Sequence, residues 1–257
     1  MQARTRQPAA GQNRPNSNEC SESVDGQAQG RARVLLTALA FAAGCTDAVT
    51  YVALGHVFTA NMTGNTVLLG IAIIAGSLTR IARSACALAG FCLGVALAAR
   101  FIGPRRERLW PPRVTIALLG EALALATLAI CAAVFGAAGG HLYWLLALSG
   151  VAMGVQSAAV QAVAVPGVAT TYITGTLTGM IVGAVTAGRR DETQVERPTT
   201  QRLAAIIWIT YLTAAIVGAA GSRAAGPQAI WIATAAALAV VAFARTHRHA
   251  LATPGAE

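Results

Sequence analysis

Apolar residues in this chain fall into long runs rather than at the spacing of an amphipathic helix or strand. The runs are 34–55, 66–76, 84–102, 114–135, 142–163, 176–188, 203–221 and 229–244. Six of them reach 16 to 22 residues. That is about what an α-helix needs to cross the hydrocarbon of a bilayer. The runs 66–76 and 176–188 hold only 11 and 13 residues. Each follows a polar, β-prone stretch ending in Thr-Gly: Val57-Phe-Thr-Ala-Asn-Met-Thr63-Gly64, and Val168-Ala-Thr-Thr-Tyr-Ile-Thr174-Gly175. The pattern predicts an all-α membrane fold of about six spanning helices, with two broken or re-entrant short helices.

The paired Thr-Gly breaks belong to an internal repeat. Ala40, Gly44, Asp47 and Tyr51, followed by Thr63-Gly64, match Gly150, Gly154, Ser157 and Gln161, followed by Thr174-Gly175. The offsets put each set of four on one helix face. Gly90 and Gly94 likewise match Ala214 and Gly218. The domain division is a polar, disordered tail at 1–30, a transmembrane domain at 31–249 and a short tail at 250–257. Repeat one spans about 34–135 and repeat two about 142–245.

Composition narrows the class further. Of 257 residues, 55% are apolar and only 11% charged, against roughly 25% charged in a soluble domain. Within 34–79, 84–99, 114–139, 142–188, 203–222 and 224–244 only Asp47 and Glu121 carry a formal charge. All 19 basic residues are arginine, placed in the tail and between runs. That placement reads as topology-setting charge and not as a nucleic-acid surface. If every run crosses, ten membrane-proximal arginines fall on one side and six on the other. If both short segments re-enter, the split becomes thirteen to three, with Arg80, Arg83 and Arg223 outside. The positive-inside tendency favours the second arrangement, with both termini cytoplasmic. Three crossings per half would then invert the halves, a plan shared by many secondary transporters.

Asp47 is the leading chemical candidate, because a carboxyl at membrane depth is expensive unless it faces a bundle interior or cavity. It is read as a proton-coupling site, with a structural hydrogen-bonding role as the competing reading. Asn65 or Thr66 is expected to cap the first short helix, and Thr176 or Thr178 the second. The N–H groups at those ends would face a polar or anionic solute. The candidate solute site is therefore Asp47, Tyr51, Asn61, Thr63, Gly64, Asn65, Ser157, Gln161, Thr174, Gly175 and Thr176. Gln156 lies off the shared face and reads as an interhelical hydrogen-bond donor. Glu121, about two turns from Arg113, reads as approaching the interface, with a second proton site as the competing reading. Trp110, Tyr143, Trp144 and Trp231 read as interface anchors.

No catalytic constellation stands out: there is no H-E-x-x-H, Walker loop or second aspartate to pair with Asp47. The five cysteines have no metal-ligand spacing. The expectation is a protein without metal, cofactor or enzymatic activity.

Gly44-Cys-Thr-Asp47-Ala-Val-Thr-Tyr51, with Phe58-Thr-Ala-Asn61-Met62-Thr63-Gly64-Asn65, resembles the opening signature of the YoaK family, the bacterial membrane proteins of domain of unknown function 1275. Met153-Gly154-Val-Gln156-Ser157-Ala158, Val165-Pro166-Gly167 and Thr170-Thr171-Tyr172-Ile173-Thr174-Gly175-Thr176 are similar to its second signature. The resemblance spans nearly all of 34–245. It implies a polytopic inner-membrane protein of about six spans and supplies no substrate or ligand residues. The functional expectation is a secondary transporter or channel, coupled to protons through Asp47, for a small polar or anionic solute. The alternative is a non-transporting scaffold or accessory subunit. The lipid bilayer and the solute are the expected partners, nucleic acid is not, and a homo-oligomer is compatible with the sequence.

Overall fold

In the computed structural model the described residues are 17–104, 109–163 and 197–248, with isolated positions at 175, 177, 178, 181, 182, 185 and 251. They form α1 (Ser17–Ala53), α2 (Met62–Ile74), α3 (Leu78–Ile102), α4 (Pro112–Phe135), α5 (Gly140–Ala162), α6 (Arg197–Ala225), a 3-10 turn (Gly226–Ala229) and α7 (Ile230–Thr246). No strand occurs among the described residues.

Local chemistry sets most of the boundaries. Pro112 opens α4, where its missing N–H costs nothing. Gly136, at φ +76°, closes it. Pro227 sits in the 3-10 turn that bends the chain between α6 and α7. At its start, α1 extends back into the stretch read as a disordered tail, and Ala28 is buried there. Adding residues to an existing helix avoids the nucleation cost, so a polar segment can propagate from the apolar run that follows.

The helices pack around two stacked apolar cores, and these fix their directions. One core joins Leu35 and Leu39 of α1, Ile102 of α3, Leu118 of α4, Val160 of α5, Ile207 of α6 and Val241 of α7. The other joins Val49, Ala87, Leu128, Leu146, Ala214 and Ala233 of the same six helices. We term these ends proximal and distal. α1 therefore runs proximal to distal, α3 returns, α4 runs distal, α5 returns, α6 runs distal and α7 returns. Among the described residues five apolar helical stretches are long enough to cross a membrane, and the fifth, Gln201–Thr246, doubles back at its 3-10 turn.

Surface and interior are inverted relative to a soluble globule. Ile74, Leu78, Trp144 and Val134 are exposed, while Thr46, Asp47, Asn65, Glu121 and Gln156 are buried. An apolar exterior around a partly polar interior suits lipid as solvent, and the protein is a multi-pass membrane protein. Trp144 and Trp231 are exposed. Trp110 is not: it is buried, with its Nε1 donating to Thr115 Oγ1 at 3.0 Å.

The repeated small-residue faces make equivalent contacts. Gly44 on α1 meets the Tyr211 backbone on α6, and Gly218 on α6 meets the Cys45 backbone. Gly150 and Gly154 on α5 meet Ala87 and Phe91 on α3, and Gly90 and Gly94 meet Ala147 and Val151. A Cβ at any of these glycines would run into backbone of the facing helix. So the first helix of each half packs against the third of the other. The second broken segment lies outside the described residues, apart from the isolated positions named above.

Candidate functional site

α1 ends at the distal side, where Gly55 and His56 adopt φ +94° and +61° and reverse the chain. α3 also starts at the distal side. Residues 54–77 therefore leave and return to the same end, making a re-entrant hairpin. The segment descends to the level of Asp47, about 9 Å inside the end of α1 at 1.5 Å per residue. There it turns, and α2 carries it back.

Asp47 holds the turn in place. Its Oδ1 accepts hydrogen bonds from the backbone N–H of Thr59 at 2.8 Å and Ala60 at 2.7 Å. Its Oδ2 accepts from Asn61 N–H at 2.9 Å and from the Tyr211 hydroxyl at 2.5 Å. The carboxyl is 3% exposed. The Thr59 and Ser149 hydroxyls lie 2.8 Å apart, tying the turn to α5. The short descending segment is thus bonded to α1 and α5, and Asp47 links it onward to Tyr211 of α6.

The cap differs from the sequence expectation. Asn61, and neither Asn65 nor Thr66, caps α2: its Oδ1 accepts from Gly64 N–H at 3.1 Å. Thr63 and Gly64 lie inside the first helical turn. Asn65 is buried and points away, its Nδ2 donating to the Ser84 carbonyl of α3 at 3.1 Å. Thr66 Oγ1 donates back to the Met62 carbonyl at 2.8 Å. An Asx cap needs its side chain just before the first helical residue, and Asn61 occupies that register. The donors assigned to a solute are thus largely used within the protein. Asp47 itself is the anion at the end of this helix.

Beside the hairpin, at the distal end, lies a cavity of about 260 Å³. Tyr51, His56, Leu68, Arg80, Arg83 and Ser84 are among the residues lining it. Tyr51 stacks on Phe58 at 5.0 Å and meets His56 edge-on at 5.4 Å. Arg83 Nη1 reaches the Gly55 carbonyl at 3.5 Å, and its Nε is buried with no hydrogen-bond partner. No acidic side chain is among the described lining residues. Two guanidiniums and an imidazole facing a half-open cavity can hold a small anion. His56, Arg80 and Arg83 were not singled out as site residues. Arg80 and Arg83 carry the basic signal in the sequence, but there it reads as a topology marker.

The structure gathers Asp47, Asn61, Gly64 and Asn65 around the hairpin turn, with Thr63 exposed on α2 and Tyr51 at the neighbouring cavity. It does not bring the second set to them. Ser157 is buried on α5 with its Oγ unpaired, and Gln161 is exposed toward the proximal end. Gly175 is helical, while Thr174 and Thr176 lie outside the described residues. Gln156 ties α5 to α1, its Nε2 donating to the Leu39 carbonyl at 2.9 Å. Glu121 does not approach the interface. It is wholly buried between the two cores, and neither of its oxygens has a hydrogen-bond partner among the described residues.

Residues 35–243 match the family of proteins of unknown function DUF1275. The chain is 40% identical over 147 residues to the UPF0700 transmembrane protein YoaK of Bacillus subtilis (strain 168). That match covers 57% of this chain and 64% of the relative, just under two thirds of the relative's length. No solved structure matches the chain.

Proposed function

The chain belongs to the DUF1275 family, and from that premise we propose that it is a secondary transporter or channel for a small, polar, anionic solute. The observation that carries this reading is the cavity at Tyr51, His56, Arg80 and Arg83, set against a re-entrant hairpin. Irregular backbone at membrane depth is tolerated where it is buried in protein or lines a polar cavity, and this hairpin has both surroundings. The opposite starting directions of the two halves support an inverted repeat, the plan on which alternating-access carriers are built.

Asp47 enters as a latch. With both oxygens accepting, it holds three backbone N–H groups and the Tyr211 hydroxyl. Adding a proton would turn one oxygen into a donor facing donors and loosen the hairpin. Proton coupling acts in this reading through the hairpin's position, without contact between Asp47 and the solute. The membrane is the bacterial inner membrane, with the arginine-rich proximal end cytoplasmic. Neither a metal, a cofactor nor a catalytic step is part of the reading.

Reconstitution into liposomes tests it. Small anions such as phosphate, sulfate and short carboxylates are expected to raise the unfolding temperature of the purified protein, since a ligand stabilises the state it binds. One of them is expected to be taken up. Arg80→Gln/Arg83→Gln should abolish both responses while leaving the fold intact. The closed coordination of Asp47 favours a second reading, a non-transporting scaffold in which the polar groups serve packing alone. No thermal response to any anion, with no flux, would decide for the scaffold.

A further inference from the structure

A second concavity lies on the opposite half of the molecule. Between the proximal parts of α1, α6 and α7 runs an open groove of about 610 Å³. Val34, Ala38 and Phe41 form one wall, Leu203 and Ile206 the other, and Ala236 of α7 contributes to the floor. Arg33 and Arg202 stand at the proximal mouth. From Arg33 to Phe41, or from Arg202 to Thr210, the groove extends about 12 Å at 1.5 Å per helical residue. One leaflet of hydrocarbon is roughly 15 Å deep. The trough therefore runs through most of one leaflet, with its two cations at headgroup level.

These arginines are not spoken for. Neither has a carboxylate partner among the described residues. Arg33 reaches Gln29 Oε1 at 3.5 Å, and its Nε is buried with no hydrogen-bond partner. A snorkelling arginine extends its head into water, whereas this Nε is enclosed beside an apolar trough. Val34 and Ile206 expose 59% and 51% of their surface. Two unneutralised guanidiniums above an apolar channel match a molecule with an anionic head and a hydrocarbon tail. A free anion has no use for the walls, and a zwitterionic lipid leaves the arginines without net countercharge.

We infer that this groove is a binding site for an anionic phospholipid. Its phosphate sits between Arg33 and Arg202, and one acyl chain lies along the trough toward Phe41 and Thr210. Basic pockets between membrane helices at the cytoplasmic face are where acidic lipid headgroups are held. The site is separate from the hairpin cavity and does not depend on the solute reading.

Native mass spectrometry and thermal unfolding in detergent test it, with phosphatidylglycerol and phosphatidylcholine as the added lipids. Phosphatidylglycerol is expected to be retained and to raise the unfolding temperature, and phosphatidylcholine to do neither. Arg33→Gln/Arg202→Gln should weaken phosphatidylglycerol binding roughly thirtyfold, from about fivefold per arginine near an anionic headgroup. Ile206→Trp alters an exposed position and should fill the trough, reducing lipid retention with unfolding in lipid-free detergent unchanged. It carries the test if the arginine pair proves necessary for folding. Equal responses to the two lipids, a response reproduced by inorganic phosphate, or full retention in either variant would overturn the assignment.

Discussion

The Tyr211 hydroxyl donates to Asp47 Oδ2 at 2.5 Å and so joins the third helix of the second half to the first helix of the first half. The same oxygen accepts from Asn61 N–H, and its twin from Thr59 and Ala60. Helix packing and hairpin closure therefore meet at one carboxyl. Tyr211→Phe removes one donor and keeps the ring, with an expected loss of about 1.5–3 kcal/mol. Asp47→Ala strands the buried N–H groups of Thr59 and Ala60 and the part-buried one of Asn61, and should cost more than Tyr211→Phe. Asp47→Asn presents a donor to donors and should also destabilise. Reversible unfolding in detergent measures all three, and an Asp47→Ala protein as stable as wild type would refute the latch.

Close helix approach yields a second prediction with its own control. A Cβ at Gly94 would strike the Val151 backbone, so Gly94→Ala should cost roughly 1–3 kcal/mol through overpacking. Gly120 lies mid-helix on α4 with nothing within 4 Å of an added Cβ. Gly120→Ala should leave stability unchanged or raise it by about 0.5–1 kcal/mol. Thermal unfolding of the two variants side by side checks this. Equal effects would show that backbone contact is not what places glycine at 94.

Run length and arginine spacing are local properties, and they made the spans readable from the chain alone. They also favoured re-entry at 57–76, where Leu54, Val57 and Thr59 are buried between the ends of two helices on the same side. The latch was only half readable. Asp47 stood out because a carboxyl in an apolar run is costly. Its partners, the Thr59–Asn61 backbone and Tyr211, lie 12 to 164 residues away. No periodicity links such distant positions. The cap was misplaced for a related reason: Asn61 and Asn65 are both cap-competent residue types, and only the descent of the chain decides which precedes the helix. Arg80 and Arg83 were assigned one role from their placement, and the cavity gives them a second.

Topology can be checked by labelling single cysteines in a cysteine-free background. His56→Cys and Ser77→Cys flank the hairpin and should both react from the same side of the membrane. Arg113→Cys, at the start of α4, should react from the other. If position 56 and position 77 label from opposite sides, residues 54–77 cross the bilayer and the re-entrant hairpin is wrong.

Glu121 poses the sharpest remaining contrast between structure and function. It sits at the boundary between the two apolar cores, between Leu118 of the proximal one and Leu125 of the distal one, and both oxygens lack partners among the described residues. A buried polar group without compensation costs about 1–3 kcal/mol in proteins. Glu121→Leu should therefore raise stability by about that amount, provided the site accepts the branched side chain. Glu121→Gln keeps the shape and a polar head, so its stability should stay near wild type. Measured together with solute uptake in liposomes, the pair separates two roles. A stabilised, fully active Glu121→Leu protein marks the residue as dispensable. A stabilised protein that has lost uptake, with the same loss in Glu121→Gln, makes the Glu121 carboxyl itself part of the transport cycle. Destabilisation by both would mean that the Glu121 carboxyl makes a stabilising interaction in the folded protein.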